Sequence, residues 1–200
     1  MLLAIDIGNT HTVLGLFDGR TLRADFRLAT RKDATADELG VVLRSLWSEA
    51  GISRAAIADI VVSSVVPELD AVYAALGREL GIGEPLFVGP GIKTGMPILY
   101  ESPHAVGADR IVNSVAALAR FGAPVIVLDF GTATTFDVVG PGGEYLGGVI
   151  APGLGLSAEA LFARAARLHR VDLRRPPRVI GRNTEQSVQS GLFHGYVGLV

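Results

Sequence analysis

The chain has no cysteine among its 200 residues. That excludes disulfides, thiolate zinc sites and thiol catalysis, and it fits a reducing cytoplasm. Lysine is nearly as scarce. Lys32 and Lys93 are the only two, and with no GxxxxGK[ST] run the P-loop class is excluded. The histidines His11, His104, His169 and His194 are scattered without ligand-like spacing, which argues against a histidine metal centre. No stretch approaches the ~20 apolar residues that span a bilayer. The N-terminus, MLLAIDIGNT, has no basic start, and Asp6 interrupts its apolar run, so it does not read as a signal peptide. A soluble, cytoplasmic protein with no membrane partner is expected. The formal charge of −2 lacks the basic excess of a dedicated nucleic-acid binder.

With 49% hydrophobic and 19% charged residues, the chain can bury a core as one large domain or two modest lobes. Leu2–Ile5, His11–Phe17 and Leu22–Leu28 read as three strands of a meander, separated by Gly8-Asn9 and by the hairpin signal Asp18-Gly19. Thr35 and Glu38 form a capping-box pattern. Leu39, Val42, Leu43, Leu46 and Ala50 then recur at helical spacing until Gly51. A strand at Ile60–Val65, a helix opened by Pro67 and a short strand at Leu86–Val88 complete a βββαβαβ first half. Gly89–Pro103 reads as a loop, 108–120 as a helix ended by Gly122, and Val125–Leu128 as a buried strand.

From there the chain begins again. A shift of 123 residues brings Asp6 onto Asp129, Gly8 onto Gly131 and Thr12 onto Thr135. Each half reads strand, Asp-x-Gly, strand, glycine turn, strand. A helix at 157–169 follows the second meander as one follows the first. A last helix from Thr184 runs to Val200 without a C-cap, so the second half is expected to stop early, as a fragment or a shortened variant would.

A glycine after a strand lets backbone approach a ligand closely, and successive N–H groups with nearby Thr hydroxyls make an anion-binding concavity. An aspartate at the strand end repels bare phosphate but suits a cation or its waters. Asp, Gly and Thr together therefore point to metal-bound phosphate. Two such turns facing each other across a pseudo-twofold cleft could hold a triphosphate from both sides. A single turn of this kind is more readily an ordinary tight hairpin, and the repetition reverses that reading.

Gly107-Ala108-Asp109-Arg110 opens a helix, where free N–H groups favour anions. Asp109 could serve there as general base and Arg110 as a clamp, or Asp109 could be a simple first-turn charge. Tyr100 could bond a polar substrate or fill a gap. Asn183 reads as a helix cap that Gln186 could reciprocate. Gly153-Leu-Gly155-Leu-Ser-Ala158 matches a loose GxGxxA. It follows a meander instead of opening a βαβ unit, so close packing at a helix entrance is the better reading. The arginines Arg164, Arg167, Arg170, Arg174, Arg175 and Arg178 read as a solvated helix face followed by a Pro176-Pro177 loop.

DIGNT at Asp6–Thr10, PHAVGADR at Pro103–Arg110, DFGTATT at Asp129–Thr135 and GGVIAPG at Gly147–Gly153 together resemble type III pantothenate kinase along essentially the whole chain. The resemblance implies an α/β, duplicated actin-like ATPase (ribonuclease H-like) fold with a mixed sheet in each lobe. The first lobe would be 1–104 and the second 105–200, incomplete at its C-terminus. It also implies ATP-dependent phosphorylation of pantothenate at the start of coenzyme A biosynthesis. ATP would be held by Asp6, Ile7, Gly8, Asn9, Thr10, His11, Thr12 and Val13, with Thr132. Asp109 would be the catalytic base. Tyr100, Gly107, Ala108, Asp109, Arg110 and Thr184 would bind pantothenate, Thr184 across a homodimer interface, and Asp129 would hold a monovalent cation, K+ or NH4+. Mg2+ would accompany ATP. Two rival readings are an actin-like kinase for another small alcohol and a non-catalytic regulator of the same family.

Overall fold

In the computed structural model, residues 1–89, 91–165 and 168–200 are described. The first sheet grows from a strict period of two. In β1 (Leu2–Ile7), Leu3, Ile5 and Ile7 are at most 3% exposed, while Leu2, Ala4 and Asp6 point to the other face. β2 (His11–Asp18) repeats the pattern with Thr12, Leu14 and Leu16 buried. β3 (Thr21–Ala29) completes an antiparallel meander, as the turn residues predict.

Helix α1 (Ala36–Glu49) covers the buried face. Its capping box forms as read: Glu38 N–H donates to Thr35 Oγ1 at 3.3 Å, and Thr35 N–H donates to Glu38 Oε2 at 3.0 Å. Gly51, at φ 68°, takes the left-handed conformation that stops it. Because α1 carries the chain across the sheet, β4 (Asp59–Ser64) can pair parallel to β1. Helix α2 (Asp70–Glu79) packs beside α1, and β5 (Leu86–Phe87) adds parallel to β4. The strand order is β3-β2-β1-β4-β5, the mixed sheet expected of an actin-like lobe. Leu43, Trp47, Tyr73 and Leu76 from the two helices fill the core against Leu3, Ile5, Leu14 and Val62. Each such side chain contributes about 1.5–3 kcal/mol on burial.

Helix α3 (Ala108–Phe121) is followed by β6 (Val125–Phe130), β7 (Ala133–Val139) and β8 (Tyr145–Pro152), a three-stranded sheet in the order β6-β7-β8. Helices α4 (Leu154–Arg164) and α5 (Thr184–Leu199) close the chain. Residues 1–125 with 138–147 form one compact unit, and residues 126–137 with 148–200 form a second. In the second, Tyr196 of α5 reaches Ser157 of α4, hydroxyl to hydroxyl, at 3.0 Å and donates to the Pro152 carbonyl. No described helix is long and apolar enough to cross a membrane.

Two elements depart from the sequence reading. α4 starts at Leu154 instead of Ser157, because Ser157 N–H already bonds the Gly153 carbonyl at 2.8 Å and makes Gly153 the cap. It ends at Arg164, where Ala165 caps it in an extended conformation, short of the expected end at His169, and Ala166 and Arg167 lie outside the described residues. Within the expected 89–103 loop, where Pro90 also lies outside them, one stretch is pinned to β8. Leu99 N–H bonds Tyr145 O at 2.9 Å, and Tyr145 N–H bonds Pro97 O at 2.8 Å.

Candidate active site

The first turn leaves β1 at Ile7 and enters β2 at His11. Gly8 N–H donates to His11 O at 3.0 Å and closes it, and Val65 N–H takes the Ile7 carbonyl at 3.0 Å. Asp6, Asn9, Thr10 and His11 are exposed. Asp6 stands opposite Val13 on β2 and Ser63 on β4, on the sheet face away from α1 and α2. Thr12 points the other way. It is 2% exposed, and its hydroxyl meets that of Thr30 at 3.0 Å, so Thr12 can offer a ligand only its backbone. Thr30, just past β3, was not singled out by any sequence pattern. It donates its hydroxyl to Gly8 O at 2.7 Å and its N–H to Thr10 O at 3.0 Å.

Gly107 is the N-cap of α3 and supplies no capping side chain. Asp109 takes that role in part, its Oδ1 accepting Arg110 N–H at 2.8 Å. A Cβ on Gly107 would lie 2.5 Å from the same oxygen, so glycine makes room for the carboxylate's position. Arg110 is 8% exposed, and its guanidinium lies 5.8 Å above the ring of the fully buried Tyr145. Tyr100 flanks that ring with centroids 6.3 Å apart. Tyr100 and Arg110 are thus brought together through Tyr145, a residue missed in the sequence because nothing near it signals more than a strand start.

The second unit holds the other glycine turn. Gly131 N–H donates to Ala133 O at 2.9 Å, so this turn is one residue shorter than the first. Strand position therefore pairs Thr12 with Thr134, 1% exposed, and not with Thr135 as a constant shift suggests. Gly153 packs on this turn. Its N–H donates to Thr132 O at 2.9 Å, and a Cβ there would meet the Gly131 and Thr132 carbonyl oxygens at 2.2 and 2.4 Å. Gly155 has nothing within 4 Å among the described residues. The GxGxxA match is thus a packing glycine plus an indifferent one. Asp129 and Thr132 are exposed at the turn's two ends. An exposed carboxylate offers oxygen donors of the kind that suit a hard cation. Among the described residues, no three His, Asp or Glu side chains converge as a metal cage.

Thr184 is the exposed first residue of α5. Asn183 caps this helix as read, accepting Gln186 N–H at 2.8 Å, but Gln186 reciprocates to Arg182 N–H at 3.2 Å. The arginine run is mostly off any helix. Arg170 pairs with Glu159 at 3.3 Å, Arg174 with Glu185 at 3.0 Å, and Arg175 lies 5.9 Å above Phe193, while Arg167 lies outside the described residues.

The family model described as type III pantothenate kinase matches residues 2–200. A type III pantothenate kinase of Anaeromyxobacter sp. (strain Fw109-5) is 56% identical over 200 residues, all of this chain and 79% of that protein. The one from Myxococcus xanthus (strain DK1622) is 55% identical over 200 residues, again all of this chain and 78% of that protein. Among solved structures, a Campylobacter jejuni protein described as a Baf family transcriptional activator superposes with a TM-score of 0.58 at 19% identity. The match covers 98% of this chain and 76% of that one and speaks to the fold alone. Matched from end to end by the family model and by relatives more than half identical to it, the chain belongs to the type III pantothenate kinase family.

Proposed function

We propose that the chain transfers the γ-phosphoryl group of ATP to the primary hydroxyl of pantothenate, giving 4'-phosphopantothenate, the first step of coenzyme A biosynthesis. The observation that carries this is the start of α3, an Asp109 carboxylate held beside a buried Arg110, in a chain 56% identical throughout to a type III pantothenate kinase. Phosphoryl transfer asks for positioning, charge neutralisation and a proton acceptor, with little covalent work by the protein.

Asp109 is the acceptor. Its carboxylate takes the hydroxyl proton as that oxygen bonds to the γ-phosphorus in line, while the bond from the γ-phosphorus to the bridging oxygen breaks and ADP leaves. The turn from Asp6 through Ile7, Gly8, Asn9, Thr10, His11 and Thr12 to Val13 receives the ATP phosphates on its backbone N–H groups, with Thr132 contributing from the second turn. Tyr100, Gly107, Ala108, Arg110 and Thr184 orient pantothenate, Arg110 through its fixed positive charge and Thr184 in a homodimer. Asp129 would hold a monovalent cation, K+ or NH4+, and Mg2+ would arrive with the nucleotide. Both ions supply charge neutralisation when bound.

The test is ATP turnover with and without pantothenate, in potassium and again in sodium, with sugars as rival acceptors. Pantothenate-dependent turnover that falls in sodium is expected. Asp109→Asn should lower kcat by about 10²–10⁴-fold, the range a general base supplies, while ATP binding stays near normal. Near-normal turnover of that variant, or preference for a sugar, overturns the assignment.

A further inference from the structure

A carbonyl oxygen can only accept a hydrogen bond, and each hydroxyl has one proton to give. Thr30 therefore spends its proton on Gly8 O, 2.7 Å away. The Thr12 hydroxyl, 3.0 Å from that of Thr30, must then donate to it. Three groups thus form one directed chain, from Thr12 through Thr30 to the Gly8 carbonyl.

The chain ends on the peptide that joins Gly8 to Asn9. This unit is planar, with C=O and N–H pointing in opposite directions. Holding Gly8 O towards Thr30 therefore aims Asn9 N–H to the other side, away from the core. Thr30 N–H holds Thr10 O at 3.0 Å, so the same residue restrains the turn at two points.

We propose that Thr30 is a positioning residue for ATP: through Gly8 O it sets the direction of the Asn9 N–H that receives a nucleotide phosphate, with Thr12 locking Thr30 in turn. The inference rests on the reading of the first turn as the ATP phosphate clamp.

Thr30→Val keeps the shape, the strand preference and the backbone N–H, and removes only the hydroxyl. The expected result is a rise of about tenfold in the KM for ATP, the ratio corresponding to one lost hydrogen bond, with the KM for pantothenate within about twofold of wild type. Thr30→Ser restores the donor and should restore the ATP KM. A rise in both KM values with no rescue by serine would mark Thr30 as merely structural and overturn the proposal. Gly8→Ala separates the two levels, since its Cβ would press on His11 O at 3.0 Å. If Gly8→Ala leaves the ATP KM unchanged, the clamp reading fails and the Thr30 proposal with it. If Gly8→Ala raises the ATP KM and Thr30→Val does not, only the Thr30 proposal fails.

Discussion

Replacing Gly153 with alanine tests how closely α4 is seated on the second glycine turn. The backbone at Gly153, φ −64° and ψ 158°, is open to any residue, so conformational strain does not enter. The contact does. The new Cβ would stand 2.2 Å from Gly131 O, 2.4 Å from Thr132 O and 2.8 Å from Thr132 C, all backbone atoms that no rotamer change can move. Carbon and oxygen need roughly 3.2–3.5 Å, so turn and helix must part by about 1 Å. That separation weakens the 2.9 Å bond from Gly153 N–H to Thr132 O, worth about 1 kcal/mol, and adds about 1–3 kcal/mol for overpacking. The expected loss is about 2–4 kcal/mol in urea unfolding. A shift of ~1 Å at Thr132 would also lower turnover by up to about 100-fold. Gly155→Ala is the internal control. With nothing within 4 Å, it should be neutral or stabilise by up to about 1 kcal/mol. If Gly153→Ala unfolds and turns over like wild type, the close seating is refuted. If Gly155→Ala is the damaging change, the packing explanation of both glycines is wrong.

Gly107→Ala puts a Cβ 2.5 Å from Asp109 Oδ1, the mobile end of a side chain, so the carboxylate should swing away while the helix survives. Turnover is expected to fall at least about tenfold, with a stability loss of no more than ~1 kcal/mol by thermal melting. Normal turnover would refute the proposed role of glycine there. Arg110→Lys loses the guanidinium 5.8 Å above the Tyr145 ring, and because the site is nearly buried it should cost about 1–2 kcal/mol in denaturant unfolding and raise the KM for pantothenate. The Glu38 carboxylate is held below the usual glutamate range, first by the Thr35 N–H and then by the Arg31 charge. Its stabilising contribution is therefore present above the ordinary glutamate pKa and is lost as pH falls through the lowered value. Glu38→Gln should narrow the difference in melting temperature between pH 6 and about pH 3, and an unchanged difference would refute the linkage.

Alternation along β1 and β2, and the Thr35/Glu38 capping box, were legible because they depend on neighbours close in sequence. Tyr145 and Thr30 were not. Tyr145 matters through Arg110 and Tyr100, and Thr30 through Gly8, contacts between residues far apart in sequence that no local pattern encodes. The repeat shows the same divide within one motif. Counting residues pairs Thr12 with Thr135, which assumes that both turns have one length. The bonds closing them span Gly8 to His11 in one and Gly131 to Ala133 in the other, so the count slips by one inside the turn. In a strand, a slip of one exchanges the two faces. Thr134 is the residue that shares Thr12's inward position, and the half-buried Thr135 turns its hydroxyl to Asp137 at 3.4 Å. Thr12 also has Thr30 beside its hydroxyl, whereas the Thr134 hydroxyl has no partner among the described residues. The restraint on Gly8 through Thr30 is therefore not repeated through Thr134. At Gly131 and Thr132 the backbone is seated instead by the Gly153 amide at the entrance of α4. Two turns of common pattern are thus held by different devices, and for that reason Thr30→Val and Gly153→Ala perturb one turn each.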